Sequence, residues 1–173
     1  MVAICTRRIT LTIAGLLLAL VQVSAQKKAA SPRAKSQGLI DGVHITIDYH
    51  QPSARGRKIM GALVPYGKVW RTGANKTTSI KFSAPVKIED KNVPRGKYGL
   101  YTIPGETTWT IIINKQIKWG AYSYDEKYDV ARVNVNPMTT DTFAETFTIT
   151  QTDNQVLLWW GNTKVAFAIR ALD

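Results

Sequence analysis

From Val43 onward the chain alternates apolar and polar residues with a period of two, in short runs separated by Gly, Pro, Asn and Asp. No run holds a helical period. An alternating run puts its apolar residues on one face of a sheet and its polar residues on the other. A chain made only of such runs must bury each apolar face against a second sheet. The expected fold class is therefore all-β, a two-sheet antiparallel β-sandwich, with a closed β-barrel as the alternative.

In the first run Val43, Ile45, Ile47 and Tyr49 share one face, His44, Thr46, Asp48 and His50 the other, and Pro52 ends it. Further strands are expected at Lys58 to Val64, Thr77 to Ser83, Val86 to Glu89, between the Pro94-Arg95-Gly96 and Pro104-Gly105 turns, and at Thr107 to Asn114. The last four fall at Asp129 to Val135, Thr142 to Thr150, Gln155 to Trp160 and Lys164 to Arg170. Turns are expected at Asp90-Lys91-Asn92, Asn114-Lys115 and Gly161-Asn162.

The N-terminus reads differently. Arg7 and Arg8 precede an apolar run from Ile9 to Val23, and Val23-Ser24-Ala25 offers small residues for cleavage, so residues 1–25 are expected to be a secretory signal peptide. A run of about 15 residues is short of the roughly 20 that cross a bilayer as a helix, and no second one follows, so the mature chain is expected to have no transmembrane segment. Residues 26–38, rich in Ala, Ser, Lys and Pro, read as a disordered basic leader, and residues 39–173 as a single β-sandwich domain. The only cysteine, Cys5, lies within the signal, so the mature protein has neither a disulfide nor a thiol nucleophile. The whole chain carries a formal charge of +11. Removing Arg7, Arg8, Lys27, Lys28, Arg33 and Lys35 leaves the domain near +5. The expected location is periplasmic or extracellular, and no nucleic-acid partner is expected, since no recognition helix or aromatic platform motif is present.

Gly56-Arg57-Lys58-Ile59-Met60-Gly61-Ala62-Leu63-Val64-Pro65-Tyr66-Gly67-Lys68-Val69-Trp70-Arg71-Thr72-Gly73-Ala74-Asn75, the segment from Gly96 through Ile103 to Ile112, Trp119-Gly120, the Tyr124 and Asp129 region and Arg132 together resemble the bacterial exported family called domain of unknown function 2911. The resemblance covers nearly all of residues 40–170 and brings no catalytic residues with it. The chain departs from the family pattern at His50-Gln51-Pro52, where Ser-Arg-Pro is usual, and at Lys76, where an acidic residue is usual. The Pro-x-Gly-x-Tyr turn at Pro94 to Tyr98 is similar to one in transthyretin-like sandwiches, which makes a transthyretin- or immunoglobulin-like sandwich the expected form.

Two residue sets carry possible chemistry. Arg57, Trp70, Arg71 and Asn75, with Trp119, combine guanidinium forks, an indole face and an amide among glycines, a set suited to an anionic or sugar-like ligand. The alternative for Trp70 is a core position, and for Arg71 an ion pair with Asp48 or Asp125. His44, Asp48 and His50 share a strand face and are the weaker catalytic candidates, as a general base or part of a metal site. No third ligand is signalled, so no metal and no cofactor are expected. Tyr122 and Tyr124 are expected on one strand face, and one of Trp159 and Trp160 in the core. No Gly-x-Ser-x-Gly elbow, cleft-forming carboxylate pair or phosphate-binding glycine loop is present. The reading is a binding module for a small polar ligand, glycan or envelope protein partner, and the alternative a periplasmic hydrolase or metal-dependent enzyme with a His/Asp/Arg pocket.

Overall fold

The alternation that begins at Val43 becomes a strand, β2 (Val43–His50), whose Val43, Ile45, Ile47 and Tyr49 are buried while His44, Thr46, Asp48 and His50 face outward. The computed structural model describes residues 30–172, so the expected signal peptide and the first residues of the leader lie outside the described residues. The remaining strands are β1 (Arg33–Ile40), β3 (Ser79–Phe82), β4 (Val86–Ile88), β5 (Lys91–Val93), β6 (Gly96–Ile103), β7 (Trp109–Asn114), β8 (Asp129–Val135), β9 (Met138–Gln151) and β10 (Gln155–Ala171). They form a six-stranded sheet, β1-β2-β3-β6-β7-β8, and a four-stranded sheet, β5-β4-β10-β9. All pairs are antiparallel. The result is a sandwich and not a closed barrel.

The inner faces supply one core. Ile47, Ile80, Leu100, Ile111 and Ile113 from the larger sheet meet Ile88, Phe147, Ile149, Leu158 and Phe167 from the smaller one. Each such side chain contributes about 1.5–3 kcal/mol by leaving water. The long connection 51–78 closes one end. Trp70 bridges to β6, its N–H donating to the Thr102 carbonyl at 2.7 Å and its carbonyl accepting from Thr102 N–H at 2.9 Å. Its ring, 8% exposed, packs against Trp109, Phe147 and Trp160.

Four local expectations are corrected. Arg33 to Gly38 is not a disordered leader but most of β1, paired with β2 along its whole length. Its inward positions are Ala34, Ser36 and Gly38, too small to read as apolar alternation. At Gly38 the Gln151 side chain closes over the strand, its Oε1 2.6 Å from where a Cβ would lie. Lys58 to Val64 is a chain of turns, with Gly61 at φ +76° and Val64 N–H donating to the Ile59 carbonyl. The turn before β5 falls at Glu89, φ +49°, so Lys91 and Asn92 join the strand. Gly161, φ +59°, forms a bulge, which lets β10 run unbroken through the expected turn at Gly161-Asn162.

Candidate functional site

The outer face of the six-stranded sheet is half covered. Residues 115–128, between β7 and β8, fold back over β6 and β7, and Gly99 makes room for them: a Cβ at that position would lie 2.7 Å from the Gln116 carbonyl oxygen. Beneath this cover Tyr101 and Ile112, although outward-facing, are buried, and Tyr124 packs on Tyr101 with ring centroids 5.1 Å apart. A polar network fastens the segment. The Tyr124 hydroxyl donates to Asp129 Oδ2 at 2.5 Å, and Arg132 Nη1 donates to both the hydroxyl and that oxygen. Asn114 Nδ2 donates to Asp129 Oδ1 at 2.7 Å. Burial, and after it the neighbouring Asp129 carboxylate, pushes the Tyr124 phenol well above its ordinary range. Two 3-10 turns, Ala121–Ser123 and Glu126–Tyr128, complete the segment. The expected strand face shared by Tyr122 and Tyr124 therefore does not exist: Tyr122 is 80% exposed and Tyr124 is tucked under.

Where the cover ends, a cleft of about 350 Å³ opens. Its floor is the outward edge of the sheet, with Arg33 from β1, Asp48 and His50 from β2, Ser79 from β3 and Lys97 from β6. Lys76 and Thr77 come from the β2–β3 connection, and Ile117, Lys118 and Trp119 form the opposite wall. Trp119 is 57% exposed and offers a free aromatic surface at the rim.

The charge of this cleft is unbalanced. Arg33, Lys76, Lys97 and Lys118 face a single carboxylate, Asp48, which is shared at the limit of ion pairing between Lys35 at 3.9 Å and Lys97 at 4.0 Å. Arg33 stands directly opposite His50 in the β1–β2 register. Burial, and then the positive charges of Arg33, Lys76 and Arg71, hold the His50 imidazole below its ordinary range. Arg71, outside the cleft lining, has its Nε buried and without a hydrogen-bond partner among the described residues. It pairs with neither Asp48 nor Asp125, whose ion-pair partners among the described residues are lysines. Burial alone lowers its pKa.

The residues singled out from the sequence therefore separate. His50, Asp48 and Trp119 line the cleft. Arg71 lies close enough to His50 to act on its charge. Trp70 is core. Arg57 closes its own loop, its Nε donating to the Ala54 carbonyl and Nη2 to that of Ser53, both at 2.9 Å, and it borders a different cavity. Asn75, at φ +55°, donates from Nδ2 to the Ser31 carbonyl and ties the approach to β1. His44 is exposed six positions along β2 from His50, about 20 Å away. Among the described residues no three of His, Cys, Asp and Glu gather around one ion position, and no hydrogen bond joins Asp48 to His50. Arg33, Lys76, Lys97 and Lys118 escaped the sequence reading because they come from four separate segments. Their signal was the lysine and arginine excess, combined with the phase of alternation that turns Lys97 outward.

Residues 31–169 match the family described as "Protein of unknown function (DUF2911)". The chain belongs to that family. No curated protein and no solved structure shows a significant match. Within this DUF2911 sandwich, several of the residues that carried the resemblance have structural tasks: Trp70 fills the core, and Tyr124, Asp129 and Arg132 fasten the segment that walls the cleft.

Proposed function

We propose that this DUF2911 protein is an exported binding module whose cleft takes a small anionic ligand. The observation that carries the reading is the set of four cations and His50 gathered against one carboxylate. Like charges held together in a partly enclosed cleft raise each other's energy, and a bound anion relieves that cost while the cleft walls strengthen the attraction. Arg33 offers a guanidinium fork, Lys76 and Lys118 offer mobile point charges, and the Ser79 hydroxyl lies beside them, while the Thr77 hydroxyl donates to the Lys118 carbonyl and fixes the wall. Trp119 and Ile117 give the ligand's apolar part a surface to lie against.

Sulfate is the simplest probe. Calorimetric titration and thermal melting of the mature protein with sodium sulfate, against sodium chloride at matched ionic strength, should show saturable binding and a rise in Tm with sulfate only. The double variant Lys76→Gln/Lys118→Gln should lose both. Equal effects of sulfate and chloride, or full retention by the double variant, would overturn the reading.

A further inference from the structure

We infer that the anion filling this cleft is one unit of an acidic polysaccharide, and that the bare half of the same sheet face carries the rest of the chain; the inference rests on the anion-binding reading of the cleft. Outside the cleft the outward positions of β1, β2 and β3 continue the positive charge. In the β3–β6 register Lys81 stands directly opposite Lys97. Like charges so placed, with Cβ atoms about 5 Å apart, destabilise a sheet. No carboxylate pairs with Lys81 among the described residues, and the only one bound by Lys97 is Asp48 at 4.0 Å. Lys35, on β1, leans on that same carboxylate. The face therefore keeps a surplus of charge at a cost to the fold, in a place where outward threonine or serine would have served.

The spread of that charge decides the size of the partner. Arg33 and Lys81 share no carboxylate among the described residues; the register Gln37–Thr46–Lys81 puts Lys81 two ladder spacings across and four residues along from Arg33, roughly 16 Å. A single sulfate or carboxylate reaches neighbouring cations and no further, so the surface fits an anion with charges repeated along a chain. Between the cations the face presents Gln37 and Thr46, joined by a bond from the Gln37 amide to the Thr46 hydroxyl, amide and hydroxyl groups of the kind that meet sugar hydroxyls. Trp119 at the rim matches the apolar face of a sugar ring. Ile117, Trp119 and Tyr122 are exposed on the segment beside this surface, and binding to a lipid surface through them is the competing outcome of the test.

The test uses alginate oligomers of increasing length, a polymer of uronic acids, with polyphosphate, single-stranded DNA and phosphatidylglycerol vesicles as competing probes. Lys81 lies outside the cleft lining and pairs with no carboxylate of it, so Lys81→Gln should leave sulfate binding unchanged. Affinity for alginate should rise with length until the sheet face is spanned. Lys81→Gln should weaken the long oligomers roughly two- to fivefold, as expected for one lost ionic contact. Length-independent binding, an unaffected Lys81→Gln variant, or tighter binding of polyphosphate, DNA or vesicles than of alginate at equal charge would overturn this inference while leaving the sulfate result standing. Loss of sulfate binding in the unmodified protein would instead remove the cleft reading itself.

Discussion

Gly99 lies directly beneath Gln116: a Cβ on the strand residue would sit 2.7 Å from the carbonyl oxygen of the covering segment, and 2.8 Å from the Tyr101 ring. The cleft wall made by Ile117, Lys118 and Trp119 rests on that missing methyl group. Gly99→Ala forces the segment off the sheet. The expected cost is about 1–3 kcal/mol in urea unfolding, as for other overpacked sites. Sulfate affinity should fall with it, because the wall moves. Unchanged stability together with unchanged affinity would show that the segment yields without consequence.

A second prediction concerns alkaline pH. Tyr124 ionises in the unfolded chain near pH 10, whereas in the fold burial and Asp129 hold the phenol protonated to higher pH. The unfolded state therefore loses its proton first as pH rises above about 10, and the stability contributed by neutral Tyr124, whole below that pH, declines above it. Tyr124→Phe should cost about 1–2 kcal/mol at neutral pH through the lost bond to Asp129, and should make the alkaline decline shallower. Tyr49 and Tyr98, also shifted upward by burial, keep it from vanishing. Denaturant midpoints measured from neutral to strongly alkaline pH check both parts.

The cleft should also couple anion binding to protons. His50 faces Arg33 across the strand pair, Lys76 and Arg71 from the β2–β3 connection, and Asp48 on its own strand, with Lys118 on the opposite wall. In the free protein its pKa is lowered, so as pH falls below about 6.5 the unfolded chain protonates first and the fold loses stability. A bound sulfate reverses the local sign and favours the imidazolium. Sulfate affinity should therefore rise several-fold between about pH 8 and about pH 5, where sulfate itself keeps its charge. His50→Gln should flatten that curve; a slope that persists in the variant would assign the effect elsewhere.

Trp70 and Arg71, adjacent in sequence, should respond in opposite ways. Trp70→Ala removes a ring packed on three aromatics and is expected to cost about 3–5 kcal/mol. Arg71→Met removes a half-buried charge that has no counter-charge among the described residues, so stability should hold or rise, within about 1 kcal/mol. Sulfate affinity should fall, because Arg71 adds to the positive potential at His50. Chemical unfolding and calorimetry on the two variants separate the roles.

Period-two alternation was enough to determine that this chain is all-β and to place strands such as Asp129–Val135, since a strand's two faces are written directly in consecutive residues, while the choice of sandwich over closed barrel came from the two separate sheets. Alternation also determined that His50 and Asp48 share an outward face; the string around Trp70 carried the resemblance to the family, independently of any periodicity. Only the tertiary structure decided that Arg33 to Gly38 is an edge strand, because its inward residues are small and its pairing comes from β2. Only the tertiary structure, likewise, separated Arg57 and Trp70 from the cleft and brought Arg33, Lys76, Lys97 and Lys118 to it. Those cations stand on segments far apart in the chain, and what unites them is strand order and the lie of residues 115–128 over Gly99. Local periodicity reports which way a side chain faces. Which side chains meet is decided by how distant strands pair, and that depends on the packing of the whole core.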